Sequence, residues 1–323
     1  MKNILSVIVC LVIVLFAQAQ KDVIRVHDAK ELQTALSSAV PGITIEMYSV
    51  NFVGKFKVPA GVNGTQDKPI TLIGTGQTVL ETGDKKFGYG LALQGNSYWH
   101  LKNFTVTNCK KGIVLDRSSN NIIEQININN ISEEAIHFRT FSCHNILKGC
   151  HITNTGLLSP GYGEACYIGS AINNWDRYTD GKPDTCNYNI IEQNTFGPGV
   201  AAEGVDVKEG TSYNIIRNNI FYGKGEKGEN SGDSWMEIKG NHTLIQGNHG
   251  YDGLRDGFQV TIKAEGWGAY NTFSNNICEV NGPGLGIRIQ LKDGTANGNI
   301  VYDNNVVKGA AEGVSNVEVT KMN

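Results

Sequence analysis

Two short stretches each set an acid and a lysine two residues apart: Asp206 with Lys208 in EGVDVKEG, and Glu237 with Lys239 in SWMEIKGN. On an extended strand residues i and i+2 share a face, so each stretch shows a carboxylate and an ammonium side by side. That pairing suits removal of a weakly acidic proton next to a carboxylate. Such a reaction needs a base at the proton, a cation on the neighbouring carboxylate and a donor to the departing oxygen. The C5 proton of a uronic acid is the carbohydrate case, and its loss cuts the chain by β-elimination. Lys208 is the candidate base. Lys239 and Arg139 are candidates for neutralising the substrate carboxylate, and Tyr167 for protonating the leaving oxygen. Lys239 would lower the pKa of Lys208 by like-charge repulsion while Asp206 and Glu203 would raise it, a balance the sequence leaves open. Glu164, Glu203 and Asp206 either bind Ca²⁺, a hard cation that prefers carboxylate oxygens, or pair with the lysines.

These residues share a face only if a repeat positions them. The segments NIIEQ at Asn121 and Asn189, NILKG at Asn145, NIIRN at Asn214, NTFSN at Asn271 and NIVYD at Asn299 recur, with TLIQG at Thr243 in the same slot. Each coil carries a second strand in which a small residue precedes alternating apolar positions. Aligning these strands gives an outward column Ala92, Val114, His137, Tyr167, Asp206, Glu237, Gln259, Arg288. The next outward column runs Gln94, Asp116, Arg139, Gly169, Lys208, Lys239, Thr261, Gln290, and a strand-start column holds Glu134, Glu164, Glu203 and Asp256. Period-2 alternation in short coils predicts an all-β fold, a single-stranded right-handed parallel β-helix. One such domain should span residues 20–323, with a cap at about 20–45 that includes a short helix begun by Asp28. The repeated asparagines read as turn and stacking residues. Polar insertions at 171–186 and 222–233 flank the Lys208 coil and suit recognition. Glu164, Asn174, Trp175, Asp206, Trp235, Glu237, Asp256, Gln259 and Trp267 are therefore the candidate substrate-binding residues.

Composition agrees with a glycine-rich β-solenoid: 323 residues with 39 glycines, 7 prolines and 8% aromatics. A net charge of −3 without a basic stripe argues against nucleic acid as a partner. Residues 1–19 read as a cleavable signal peptide ending at Ala19, so the mature chain is expected to be secreted or periplasmic, with no membrane span and acting as a monomer. No C-x-x-C pair suggests zinc. The cysteines after Cys10 are expected to be buried and free, Cys166 and Cys186 being the one pair placed to bridge an insertion.

DAKELQTALSSAVPGITIEM, NGTQDKPITLIG and EGVDVKEGTSYNIIRNN resemble the β-helix lyases of polysaccharide lyase family six, which include alginate lyases and chondroitin B lyase. The resemblance implies that Lys208 is the base and Glu203 a calcium ligand, with Ca²⁺ as the one cofactor and an acidic polysaccharide as substrate. It also places Lys239 where that family has arginine, and Ala201 where it has a further acid. A second likeness runs from GEACYIGS through NNW, SWMEIKGN and DGFQV to GWG. It resembles a set of secreted pectate-lyase-like β-helix proteins and groups Glu164, Tyr167, Asn174, Trp175, Lys208, Trp235, Lys239 and Asp256 as one site. A glycoside hydrolase would instead use paired carboxylates, Glu203 or Asp206 with Glu237 or Asp256. A non-catalytic glycan binder would need only the face. The Asn-Thr-Asp strand of polygalacturonases and the Asp-Pro-His-Asp motif of C5-epimerases are absent.

Overall fold

Alternation of apolar and polar residues, three times per coil, winds the chain into three parallel sheets of twelve, ten and ten strands. The computed structural model describes residues 22–322, and the signal-peptide reading of 1–19 lies outside them. Inward positions stack from coil to coil: Ile113 and Leu115, Ile136 and Phe138, Cys166 and Ile168, Val205 and Val207, Met236 and Ile238 are all enclosed. Each such side chain contributes about 1.5–3 kcal/mol through burial. The ladder of one ten-stranded sheet pairs Ala92 with Val114, Val114 with His137, His137 with Tyr167, Tyr167 with Asp206, Asp206 with Glu237, Glu237 with Gln259, and Gln259 with Arg288. The outward column is thus as read from the alternation.

The asparagines do structural work inside the turns. Asn121, Asn145, Asn189 and Asn214 form one buried ladder, in which each side-chain oxygen accepts from the backbone N–H of the preceding coil at 2.8–3.0 Å. Asn194, Asn219, Asn248, Asn276 and Asn305 form another. A third feature was not foreseen. The turn residues His144, Tyr188, Tyr213, His242 and Tyr270 all have left-handed backbones, φ 52–61°, and their rings stack at 4.9–5.2 Å. Left-handed backbone is costly for residues other than glycine and asparagine, and offset stacking is a compensating attraction.

The cap is the helix Ala29–Ser38. Asp28 caps it by accepting from Glu31 N at 2.8 Å, and Glu31 accepts from the N–H of His27, one residue before the cap, at 2.7 Å, a variant of the capping box. Leu32, Ala35 and Leu36 close the end of the core.

Two expectations are corrected here. Cys166 and Cys186 do not bridge; both are free, Cys166 stacking in the core and Cys186 lying 3.3 Å from Asp184 Oδ1. Trp235 does not face outward. It occupies the slot that other coils give to Gly or Ala, is 1% exposed, and reaches across the core to donate to Tyr251 O at 3.1 Å. Room exists only because its neighbours are glycines: a Cβ on Gly250 would lie 2.2 Å, and one on Gly257 2.9 Å, from the indole ring. Trp235→Ala should lower unfolding free energy by about 3–5 kcal/mol, read as a fall in the urea midpoint with little change in slope.

Candidate active site

Strands Cys166–Ile168, Val205–Val207 and Ser234–Ile238 lie side by side. Their inward residues are locked in the core, which holds Tyr167, Asp206 and Glu237 on adjacent rungs. Lys208 and Lys239 follow on the same face, their amides bonded to Ile168 O and Val207 O. At the strand starts, Ala135 N bonds to Glu164 O and Ala165 N to Glu203 O, which lines up Glu134, Glu164 and Glu203. The two insertions and the 160–162 turn wall this patch: Tyr162, Asn173, Asn174 and Asn230 join it around a cavity of about 450 Å³.

The floor is more buried than a solvated strand face. Asp206 is 1% and Lys239 3% exposed. Lys239 Nζ lies 2.8 and 2.9 Å from the two Asp206 oxygens and also pairs with Glu237. Lys208 Nζ reaches Asp206 Oδ2 at 2.5 Å and sits 4.6 Å from the centre of the Tyr167 ring. Asp206 is therefore the carboxylate shared by both ammonium groups.

The acids win the balance that the sequence left open. Burial pulls Lys208 down, but Asp206, Glu164 and Glu203 outweigh it and hold its ammonium above the ordinary lysine range. Lys239 is likewise raised, burial and Lys208 opposing Asp206 and Glu237. Burial followed by the Glu134 charge pushes Glu164 up to about 8, and burial followed by Asp206 raises Glu203 well above the carboxylate range. Although burial opposes it, the Lys239 ammonium brings Glu237 down to about 2. Burial, then Asp206, pushes the Tyr167 phenol well up, so it stays protonated.

Tyr167, Glu164, Asn174, Glu203, Asp206, Lys208, Glu237 and Lys239 all line the cavity. Other candidates do not. Arg139 lies two rungs from Lys208 on the same column and is held bidentate by Asp116, Nε to Oδ1 at 2.6 Å and Nη2 to Oδ2 at 3.0 Å. Asp256 is 0% exposed, its oxygens accepting from Leu285 N at 2.6 Å and Gln259 Nε2 at 2.9 Å. Gln259 is spent on Asp256 and on Asp233 at 2.8 Å. Trp175 is buried and donates to Ser170 O at 2.9 Å, where it packs over Gly210 and pins the 171–186 insertion. Trp267, in a turn beyond the strand, does not line the cavity. Lys263 does and was not anticipated. It lies past the end of the repeating strand, where alternation carries no signal.

A model described as right handed beta helix region matches residues 88–177 and 182–321. This chain belongs to the right-handed β-helix family. An alginate lyase from Paenibacillus sp. str. FPU-7 is 34% identical to this β-helix, the match covering 91% of this chain and 98% of that one with a TM-score of 0.83. A pectate lyase matches at 15% identity over 88% of this chain and 72% of that chain, TM-score 0.63. A Streptococcus pneumoniae surface protein and adhesin matches at 13% identity over 90% and 83%, TM-score 0.60. The last two likenesses show the β-helix fold alone. A comparison with curated protein sequences finds no match. Among the described residues no helix of this β-helix is long and apolar enough to cross a membrane.

Proposed function

We propose that this β-helix is an exported polysaccharide lyase that cleaves a uronate-containing chain of the alginate type by β-elimination. The observation that carries the proposal is the pairing of Lys208 with Tyr167, an ammonium 4.6 Å from a phenol ring, on the wall of one cavity. The 34% identity to an alginate lyase supports the choice of substrate. Lys208 serves as the base for the C5 proton. Tyr167, kept neutral by burial and by Asp206, donates its proton to the leaving oxygen. Lys239, held by Asp206 and Glu237, supplies fixed positive charge under the site, and the exposed Lys263 is free to meet the substrate carboxylate. A hydrolase reading is weaker, because Asp256 has no exposed surface and Glu237 is bound to Lys239.

Glu164, Glu203 and Asp206 fit a hard cation. One oxygen from each lies within 4.8 Å of the others, all three are buried, and Glu164 Oε2 has no hydrogen-bond partner. They would hold Ca²⁺. Bound there, it would supply positive charge that weakens the hold of these acids on Lys208. Millimolar Ca²⁺ should raise the melting temperature, by about 2.7 kcal/mol of stability at a hundredfold excess over Kd, and Glu203→Gln should remove the response. A melting temperature indifferent to Ca²⁺ and to chelator would dispose of the site.

In chelator a pH effect should also appear. Burial lifts Glu164 and, on the 222–233 insertion, Glu226 to about 8 each, so the folded state binds more protons than the unfolded one between the ordinary carboxylate range and pH 8. Stability should therefore fall as pH rises through that window, measured as decreasing urea midpoints.

The elimination itself is tested by incubating the protein with alginate, pectate, chondroitin and dermatan. Ultraviolet absorbance of the new C4–C5 double bond should rise, most with alginate. New reducing ends without that absorbance would replace elimination with hydrolysis.

A further inference from the structure

A second cavity lies two rungs from Lys208 on the same sheet face, about 10 Å away at one strand spacing per coil. Its volume is about 380 Å³, and its charged lining consists of Arg117, Arg139, Arg177 and Asp116. Asp116 is committed to Arg139, whose guanidinium also stacks 4.7 Å from the centre of the Tyr178 ring. That leaves Arg117 and Arg177 uncompensated: both are exposed, and neither makes an ion pair among the described residues. The Arg177 guanidinium carbon lies 5.1 Å from the centre of the same Tyr178 ring, which places both arginines against one aromatic side chain. Arginine forks of this kind recognise carboxylates bidentately.

The arginine cavity and the catalytic one share walls through a third. Tyr178 lines both it and an intermediate cavity of about 190 Å³, and Tyr162, Tyr167 and Asn174 line both the intermediate and the catalytic cavity. On the column between Arg139 and Lys208 stands the buried Gly169, so the two ends are related through the walls they share rather than across this rung.

We propose that Arg117 and Arg177, backed by Arg139 and Tyr178, form a distal subsite that grips the carboxylate of a uronate about two sugar units from the bond broken at Lys208, at the two-rung spacing. This rests on the lyase reading for its direction along the chain, but the subsite itself recognises any polyuronate. It makes the preferred substrate a polymer carrying acid groups at repeated intervals, since an isolated uronate cannot reach both cavities at once.

The test uses the full-length Lys208→Ala protein, which holds substrate without turning it over, and calorimetric titration with hexasaccharides prepared from alginate and from pectate. Adding Arg117→Ala and Arg177→Ala together should weaken binding of at least one hexasaccharide by about tenfold or more, in keeping with loss of charge-assisted hydrogen bonds. The lysine pair Arg117→Lys with Arg177→Lys should recover part of the loss. Both positions are exposed, so an unchanged melting temperature checks that the variants fold. Affinity within twofold of the parent overturns the subsite, as does failure of the parent to bind either hexasaccharide. The two readings separate cleanly. Cleavage by wild type with arginine-independent binding removes the subsite alone, and arginine-dependent binding without double-bond formation removes the lyase assignment alone.

Discussion

Lys208→Ala should cut the rate of double-bond formation by roughly a hundred- to ten-thousand-fold, the range for loss of a positioned general base, while the protein still folds. Folding survives because Asp206 keeps its second partner, Lys239, at 2.8 Å. The more informative variant is Lys208→Arg. Arginine retains the positive charge but does not give up its proton in proteins, so it cannot serve as a base. If Lys208 acts by abstracting the C5 proton, Lys208→Arg is as dead as the alanine variant. If Lys208→Arg keeps a tenth or more of wild-type activity, the ammonium acts only as a fixed charge and the base assignment fails. The raised pKa of Lys208 adds a further expectation. In the resting site the lysine is protonated, so the rate should climb with pH towards the alkaline side.

Asp206→Asn should lower stability by about 3–5 kcal/mol, as for removing one partner of a buried ion pair. Asp206 is 1% exposed and faces Lys239 at 2.8 and 2.9 Å and Lys208 at 2.5 Å. Its loss leaves two ammonium groups under one roof with only Glu237 directly bonded to them. The sign with pH follows from the direction of the lysine shifts. Folded-state values above the unfolded ones stabilise fully below the unfolded lysine pKa of about 10.4 and cease to do so as pH rises through the folded values. The deficit of Asp206→Asn should therefore be complete at neutral pH and shrink in strong alkali, which urea titrations at several pH values will show. Whatever activity remains should rise at lower pH than in wild type, because Asp206 is the strongest charge holding Lys208 protonated. An unmoved profile would mean that Lys208 does not govern the pH dependence.

The register of the outward column was legible because alternation on a half-buried strand leaves no choice of face, and each small-residue start aligns its coil with the next. That is why Tyr167, Asp206, Glu237, Lys208 and Lys239 come together as read. Depth was not legible. Asp256 belongs to the strand-start column, yet the following coil folds over it and Leu285 N takes its oxygen. Trp235 read as a substrate-binding residue because nothing local reveals that Gly250 and Gly257 make space for it inside. Trp175, read as a substrate-binding residue, instead ties the insertion to Ser170 O through its indole N–H and leaves its neighbours Asn173 and Asn174 to face the cavity. Lys263 escaped because its loop has no periodicity.

The uniform turn, with its left-handed residue and stacked rings from His144 to Tyr270, makes the molecule a ruler. Every coil advances the working face by one graduation of about 4.8 Å, whatever the loops beside it do. On the proposed function, the distance between the grip on a polymer and the point of scission would be set by counting coils. A coil inserted between Arg139 and Tyr167 would lengthen the span between the proposed grip and Lys208 by one such graduation, and leave the Lys208 rung as it is.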